Sequence, residues 1–255
     1  MKKHMVGAVL VVVLPLLAAS ALAMDIWDQA VVKDNSAAST INLLQNGVGQ
    51  THDLEAVAGV ADQDWFVVSQ GVGRSYQVSV GELTGDVPIS TADFLTLWDS
   101  TGITLFLTAG SGTTGKSFRW IAAGSATPRV CVKGSATTTS KSQYSIVLNE
   151  TTLFCPRFNN AGTQVSVLIL QNTFTSSCDV TVNFFNEAGV LLATYNSTIG
   201  SYATLVLPAA SVPNISGQKG SVQIANHCYF GALKGKLVAL EPATGFSFDT
   251  ICETR

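Results

Sequence analysis

The sequence is poor in charge and poorer still in histidine. Of 255 residues, 14 are Lys or Arg, 17 are Asp or Glu and 3 are His, for a formal net charge of −3. Nucleic-acid binding needs clustered Lys and Arg to hold phosphates, so this acidic balance argues against DNA or RNA as a partner. With only 12% of residues charged, Ser, Thr, Asn and Gln must cover much of the surface. Beyond the N-terminal segment the histidines are His52 and His227, and neither stands in a nucleophile, metal or P-loop motif. Serine is plentiful, so a Ser-His-Asp set can be assembled on paper, but such a set is defined by geometry and not by availability. No Cys-x-x-Cys pair occurs, which argues against a zinc knuckle or a thioredoxin-type site. No amphipathic helix of useful length can be traced. These absences point to a non-catalytic protein with no organic cofactor.

One long apolar run is present, at the start. Lys2, Lys3 and His4 precede an almost wholly apolar stretch from Met5 to Ala19, and Ala21-Leu22-Ala23 follows. This is the three-part pattern of a secretory signal peptide, residues 1–23, with the mature chain expected to begin near Met24. The run falls short of the ~20 residues of a membrane span. No later stretch is apolar enough to span a bilayer, so the mature chain is expected to carry no transmembrane segment. It is expected to be secreted or held in the cell envelope.

Past a polar, turn-rich lead-in at residues 24–50, short apolar alternations take over. Tyr76, Val78 and Val80 alternate with Gln77 and Ser79, and Tyr144, Ile146 and Leu148 with Ser145 and Val147. A second series begins after residue 155: Val165, Val167 and Ile169 share one face, and Val180, Val182 and Phe184 share another. Period-two alternation marks strands with one face in a core. The fold class expected is all-β, with two antiparallel sandwiches of jelly-roll or immunoglobulin-like type. The alternation breaks at Asn149-Glu150-Thr151-Thr152, which sets the domains at 51–149 and 150–255. Both halves repeat one turn device. Trp98-Asp99-Ser100-Thr101-Gly102-Ile103 and Phe185-Asn186-Glu187-Ala188-Gly189-Val190 each place Asp or Asn to open a turn and Gly to close it in the left-handed region.

Residues 34–148 resemble the bacterial pre-peptidase C-terminal domain family. The resemblance rests on an ordered set: Asp34 to Thr40, Gln50-Thr51-His52-Asp53-Leu54, Asp62-Gln63-Asp64-Trp65-Phe66, Gly73-Arg74-Ser75-Tyr76-Gln77-Val78, Leu95 to Asp99 with Gly102, and Gln143-Tyr144-Ser145-Ile146. It implies a non-catalytic β-sandwich of an exported protein, in a family with members that bind calcium or polymers. Residues 153–250 are similar to a second module of exported bacterial proteins, through Pro156 to Asn160, Leu170-Gln171-Asn172 and Ala239 to Thr250.

Five cysteines remain after export, and in an oxidising compartment disulfides are the default. Cys178 is in step with Val180, Val182 and Phe184, and Cys228 with Val222, Ile224 and Phe230. Both are therefore expected to face inward and pair. Cys155 and Cys252, near the two ends of the second domain, would staple its termini. Cys131 is left over, its parity opposed to Val130 and Val132. It is read as a small buried residue, with an intermolecular bond as the sharper alternative. A Cys131–Cys155 pair is a rival connectivity, since spacing alone selects none.

For ligands, Asp53, Glu55, Asp62 and Asp64 lie close in sequence, and carboxylate oxygens suit calcium. The bland alternative has Asp62 and Asp64 capping the turn before Trp65. Trp27, Trp65, Trp98 and Trp120 offer flat faces for sugar rings, against a plainer role in cores and rims. Asn149, Asn196 and Asn214 open sequons, which matter only in a eukaryotic secretory route. The leading expectation is a protein that binds or adheres to an extracellular polymer or surface protein. Self-assembly through strand edges is the alternative, and a hydrolase with an unrecognised site comes third.

Overall fold

The structure is a computed structural model that describes residues 34–110, 114–139 and 141–254. The expected signal peptide and Trp27 lie outside the described residues. The elements are strands throughout: β1 (Leu43–Leu44), β2 (Gly49–Asp53), β3 (Gln63–Val68), β4 (Ser75–Gly81), β5 (Leu95–Trp98), β6 (Leu105–Thr108), β7 (Lys116–Ile121), β8 (Arg129–Lys133) and β9 (Gln143–Glu150) make the first series. The second comprises β10 (Leu153–Asn159), β11 (Val165–Asn172), β12 (Cys178–Asn186), β13 (Leu191–Ile199), β14 (Thr204–Pro208), β15 (Lys219–Asn226), β16 (Leu233–Glu241) and β17 (Phe246–Cys252), with a single 3-10 turn at Ala209–Ser211.

These strands form four sheets. A five-stranded sheet in the order β1-β3-β8-β5-β6 faces a four-stranded one, β2-β9-β4-β7. In the second series β10-β15-β12-β13 faces β14-β11-β16-β17. Pairing is antiparallel except for β1 on β3. The all-β sandwich class read from alternation is what the chain adopts. One core draws on residues from Leu44 to Leu148, with Phe66, Phe94, Tyr144 and Ile146 fully buried. The other draws on residues from Leu153 to Cys252 around Phe158, Phe184 and Leu168.

Burial follows the pleat where one parity is apolar and the other polar. In β9 Tyr144, Ile146, Leu148 and Glu150 point in, and in β12 Cys178, Val180, Val182 and Phe184 do. In β11 the expectation needs correcting. Ser166, Leu168 and Leu170 are the buried set, and Val165, Val167 and Ile169 face outward, half-buried. Both parities of this strand are apolar, so alternation held no information about which face meets the core.

Residues 34–50 are more than a polar approach. Asp34, Ala37, Thr40, Asn42 and Leu44 are all buried. The segment runs along β3, where Trp65 N donates to Asp34 O at 2.7 Å and Val67 N to Asn42 O at 2.7 Å.

The twin turns share one geometry. Asp99 Oδ1 accepts from Thr101 N and Ile103 N, each at 3.0 Å. Asn186 Oδ1 accepts from Ala188 N and Val190 N, each at 2.9 Å. Gly102 and Gly189 take φ of 74° and 77°, the region a residue without Cβ enters freely. A bulge precedes each turn, at Leu97/Trp98 and Phe184/Phe185. The Thr101 hydroxyl, followed by backbone donors, holds the Asp99 carboxyl well below the usual range.

Both expected cysteine pairs are bonded, Cys178 to Cys228, read from parity, and Cys155 to Cys252, read from their places near the domain ends. Strand β15 ends at Asn226, so Phe230 leaves the alternation and is exposed, yet Cys228 still reaches the core. Cys131 is a buried free thiol. Its off-face parity places it among Ala37, Trp65 and Trp98 on the outer side of the sheet, covered by the 34–50 segment.

Strand β9 runs almost directly into β10, and polar contacts pin the two series together there. Ser75 N donates to Thr152 Oγ1 at 2.8 Å, Asn226 Nδ2 to Thr151 O at 2.7 Å, Gln223 Nε2 to Gly73 O at 2.8 Å and Phe230 N to Gln77 Oε1 at 2.9 Å. Arg119 donates to His227 O at 2.9 Å and lies 3.9 Å from the centre of the Tyr229 ring.

Candidate functional site

The outer face of the five-stranded sheet is built on a cross-strand row. Trp65 pairs with Cys131, Cys131 with Thr96, and Thr96 with Thr108. Gln63 and Lys133 pair on one side of that row, and Arg129 and Trp98 on the other. The Trp65 and Trp98 rings lie 5.9 Å apart and tilted by 51°. Trp65 is buried and Trp98 half-buried. Trp98 Nε1 donates to Thr96 Oγ1 at 2.8 Å, which fixes the indole. The result is a hollow of about 400 Å³ lined by both tryptophans and by Gln63, Asp93, Thr108 and Lys133, among others. Lys133 Nζ lies 2.6 Å from Asp93 Oδ2 at its rim. An aromatic wall ringed by amide, hydroxyl and ionic groups suits a ligand with alternating apolar faces and hydroxyls.

Trp120 takes no part in it. It is buried, stacks on Tyr76 at 5.3 Å, packs on Phe118 at 5.6 Å and donates to Gln70 Oε1 at 2.8 Å. It backs a second concavity, about 460 Å³, near the seam and lined by Phe106, Arg119 and His227. Gln70 and Arg119, polar members of that lining, already bond Trp120 and His227 O. His227 cannot form a thiol–imidazole pair with its neighbour, because Cys228 is in a disulfide.

The four carboxylates close in sequence have different hydrogen-bond partners. Glu55 and Asp62 line one hollow of about 250 Å³ together with Asn35. Asp53 is buried, and its Oδ1 accepts from Glu55 N at 3.1 Å. Asp62 Oδ1 accepts from Gln63 N at 2.8 Å, the turn-capping role. Asp64 points between the sheets. Strand parity explains the split: Asp64 is in step with Phe66 and Val68, which are core residues. Glu55 Oε2 is buried with no hydrogen-bond partner among the described residues, and Asp62 and Asn35 line the same hollow, so carboxylate and amide oxygens of the kind calcium takes are present there.

Asp64 belongs instead to a buried polar cluster that the sequence did not disclose. Asp34, His52 and Asp64 each offer an atom within 4.8 Å of the others. His52 Nδ1 is 3.7 Å from Asp34 Oδ2, and its Nε2 is 3.1 Å from Gln50 Oε1. The imidazole meets Phe66 edge-on at 4.9 Å and stacks on Tyr144 at 5.6 Å. Tyr144 donates its hydroxyl to Asp64 Oδ2. Burial, and then the Asp64 carboxylate, push the Tyr144 hydroxyl well above its ordinary pKa. A ring nitrogen among the oxygens suits a transition ion better than calcium. With all three residues at most 1% exposed, the cluster is closed to substrates.

No family model matches the chain, and no curated protein matches it. Among solved structures it is similar to a beta-glucuronidase of Bacteroides uniformis, at 9% identity and a TM-score of 0.19, over 83% of this chain and 32% of that one. It is similar also to a putative beta-galactosidase of Bacteroides fragilis, at 8% identity and a TM-score of 0.18, over 88% and 36%. The chain thus spans about a third of the length of those proteins. Likeness at these scores carries no argument about this chain's fold or activity.

Proposed function

We propose that the protein is a non-catalytic binding protein of the cell envelope or the extracellular space, and that it holds a polysaccharide in the hollow over Trp65 and Trp98. The observation that carries this reading is the composition of the hollow: an ordered indole wall beside a ring of hydrogen-bonding side chains. Sugar rings present a C–H face to stack and hydroxyls to bond, and the hollow answers both. Export is supported by the N-terminal pattern and by two disulfides, which persist in oxidising compartments. The resemblance of residues 34–148 to the pre-peptidase C-terminal family points the same way. The test is retardation of the native protein in gels that hold neutral polysaccharides. Wild type is retarded by at least one of them. Trp98→Ala migrates freely, while Phe106→Ser, at the other concavity, migrates as wild type. No retardation by any polymer, or equal retardation of Trp98→Ala, rejects the reading.

A second reading concerns calcium, as a structural aid to that first sandwich. Glu55 Oε2 would be a ligand, with oxygens of Asp62 and Asn35 beside it. An ion that binds only the folded state raises the unfolding midpoint with concentration. The midpoint is expected to rise in calcium, fall back with chelator, and become insensitive in Glu55→Gln. An unchanged wild-type midpoint removes calcium from the account.

A further inference from the structure

The buried cluster of Asp34, His52 and Asp64 draws its ligand atoms from three separate segments: the stretch before β1, β2 and β3. Each ligand is held by a second side chain. Gln50 Nε2 donates to Leu43 O at 3.0 Å, which turns Gln50 Oε1 to His52 Nε2, 3.1 Å away. An amide oxygen only accepts, so Nε2 carries the ring proton. In the neutral imidazole Nδ1 then presents its lone pair, and Asp34 Oδ2 stands 3.7 Å from it. Tyr144 donates its hydroxyl to Asp64 Oδ2, and Asn42 Nδ2 donates to Asp34 Oδ2 at 3.5 Å. Outer hydrogen bonds of this kind orient the ligands of bound metals. A separate observation points to an ion. Asn42 is 1% exposed, and its Oδ1 is buried with no hydrogen-bond partner among the described residues. A buried amide oxygen without a donor is costly, and a cation beside Asp34 would satisfy it.

We propose that Asp34, His52 and Asp64, with the Asn42 amide oxygen as fourth donor, bind one structural zinc ion that ties the segment before β1 to β2 and β3. Zinc takes imidazole nitrogen and carboxylate oxygen and holds four ligands in a tetrahedron. At bonds of ~2.0–2.2 Å those ligand atoms stand ~3.4 Å apart. His52 Nδ1 and the Asn42 amide nitrogen stand 3.7 Å and 3.5 Å from Asp34 Oδ2. A half-turn of the Asn42 amide puts Oδ1 in the place of Nδ2. The three ligand atoms of Asp34, His52 and Asp64 all lie within 4.8 Å of one another, so side-chain rotation is enough to close the set. Calcium takes six to eight oxygens, more than this cluster supplies, and an imidazole ligand favours a first-row ion. The cluster is closed to solvent, so the ion enters as the chain folds, and its binding adds to folding stability.

Metal analysis of the full chain as exported tests it, with both disulfides kept oxidised. The protein is unfolded in urea with chelator, refolded with or without zinc, and freed of loose ion by gel filtration. Wild type retains about one zinc per chain, and its urea midpoint is higher with zinc than without. His52→Gln and Asp64→Asn each retain less than about a tenth of that, and their midpoints do not respond to zinc. His227→Gln, which removes the histidine outside the cluster, retains zinc as wild type does. Cobalt in place of zinc gives wild type a visible absorption with no thiolate charge-transfer band. The wild-type stoichiometry and the cobalt spectrum decide the matter even where a cluster variant fails to fold. Wild type refolded with zinc but holding less than about a tenth of an ion per chain overturns the proposal. So does zinc kept equally by both cluster variants, zinc lost in His227→Gln, or a thiolate band that places the ion on Cys131.

Discussion

Replacing Tyr144 by Phe removes one hydroxyl from the middle of the first sandwich and leaves the ring in place. The ring still stacks on His52 and fills the same volume. The Asp64 carboxylate loses an O–H donor that it holds in a site 1% exposed. Hydrogen bonds to buried charged groups contribute about 1.5–3 kcal/mol. At roughly 2–4 °C per kcal/mol for a chain of this length, the unfolding midpoint should fall by about 3–12 °C at pH 7. A second arm comes from pH. The Tyr144 pKa is raised in the folded state above its ordinary value of 10.0, so the folded chain keeps a proton that the unfolded chain releases. Its contribution is fully present below pH 10.0 and is lost as pH rises towards the folded-state value. Urea titrations at pH 7 and above pH 10, followed by tryptophan fluorescence, read both arms. Wild type should lose stability across that interval, and Tyr144→Phe should lose less of it. A variant as stable as wild type at pH 7, with the same alkaline loss, would refute the reasoning.

The twin turns predict unequal costs for one substitution. Gly189→Ala meets no neighbour within 4 Å and suffers only the left-handed φ, about 1 kcal/mol. Gly102→Ala in addition sets its Cβ 2.3 Å from that of Ala37, so its urea midpoint should fall further. Burial raises the Cys131 thiol above its ordinary pKa, so a thiol reagent should find no reactive cysteine in the native protein and one after unfolding without reductant. Cys178→Ala with Cys228→Ala opens a link of sequence separation 50. That should cost about 4 kcal/mol by the chain-entropy argument, measured by urea unfolding with Cys155–Cys252 intact.

Legibility in the sequence tracked how local each determinant is. Asp99, Asn186 and their glycines announced the two turns because the turn chemistry lies within six residues. Cys178 was placed by parity along β12, and Cys228 by parity carried two residues past the end of β15. Parity misled at Val165, Val167 and Ile169, because β11 is apolar on both faces and the deciding fact is which neighbours cover it. The Asp34, His52, Asp64 and Tyr144 cluster draws on β2, β3, β9 and the segment before β1, so no window along the chain displays it. Of the carboxylates close in sequence, parity on β3 turns Asp64 inward beside Tyr144, while Glu55 and Asp62 line a hollow. The Trp65–Trp98 hollow left two traces: the tryptophans themselves, read as flat faces for sugar rings, and the off-face parity of Cys131, which marks an outer surface that something covers.

The most direct test of the central claim is a binding isotherm of wild type against Trp98→Ala on the polysaccharide that retards the protein most. Loss of a buried aromatic contact of about 1.4 kcal/mol or more corresponds to at least a tenfold weaker dissociation constant. The account predicts that weakening in a variant that still unfolds cooperatively, with its midpoint lowered by loss of the Trp65 contact and the Thr96 hydrogen bond. Equal affinities for the two proteins would contradict it and move the ligand away from the hollow.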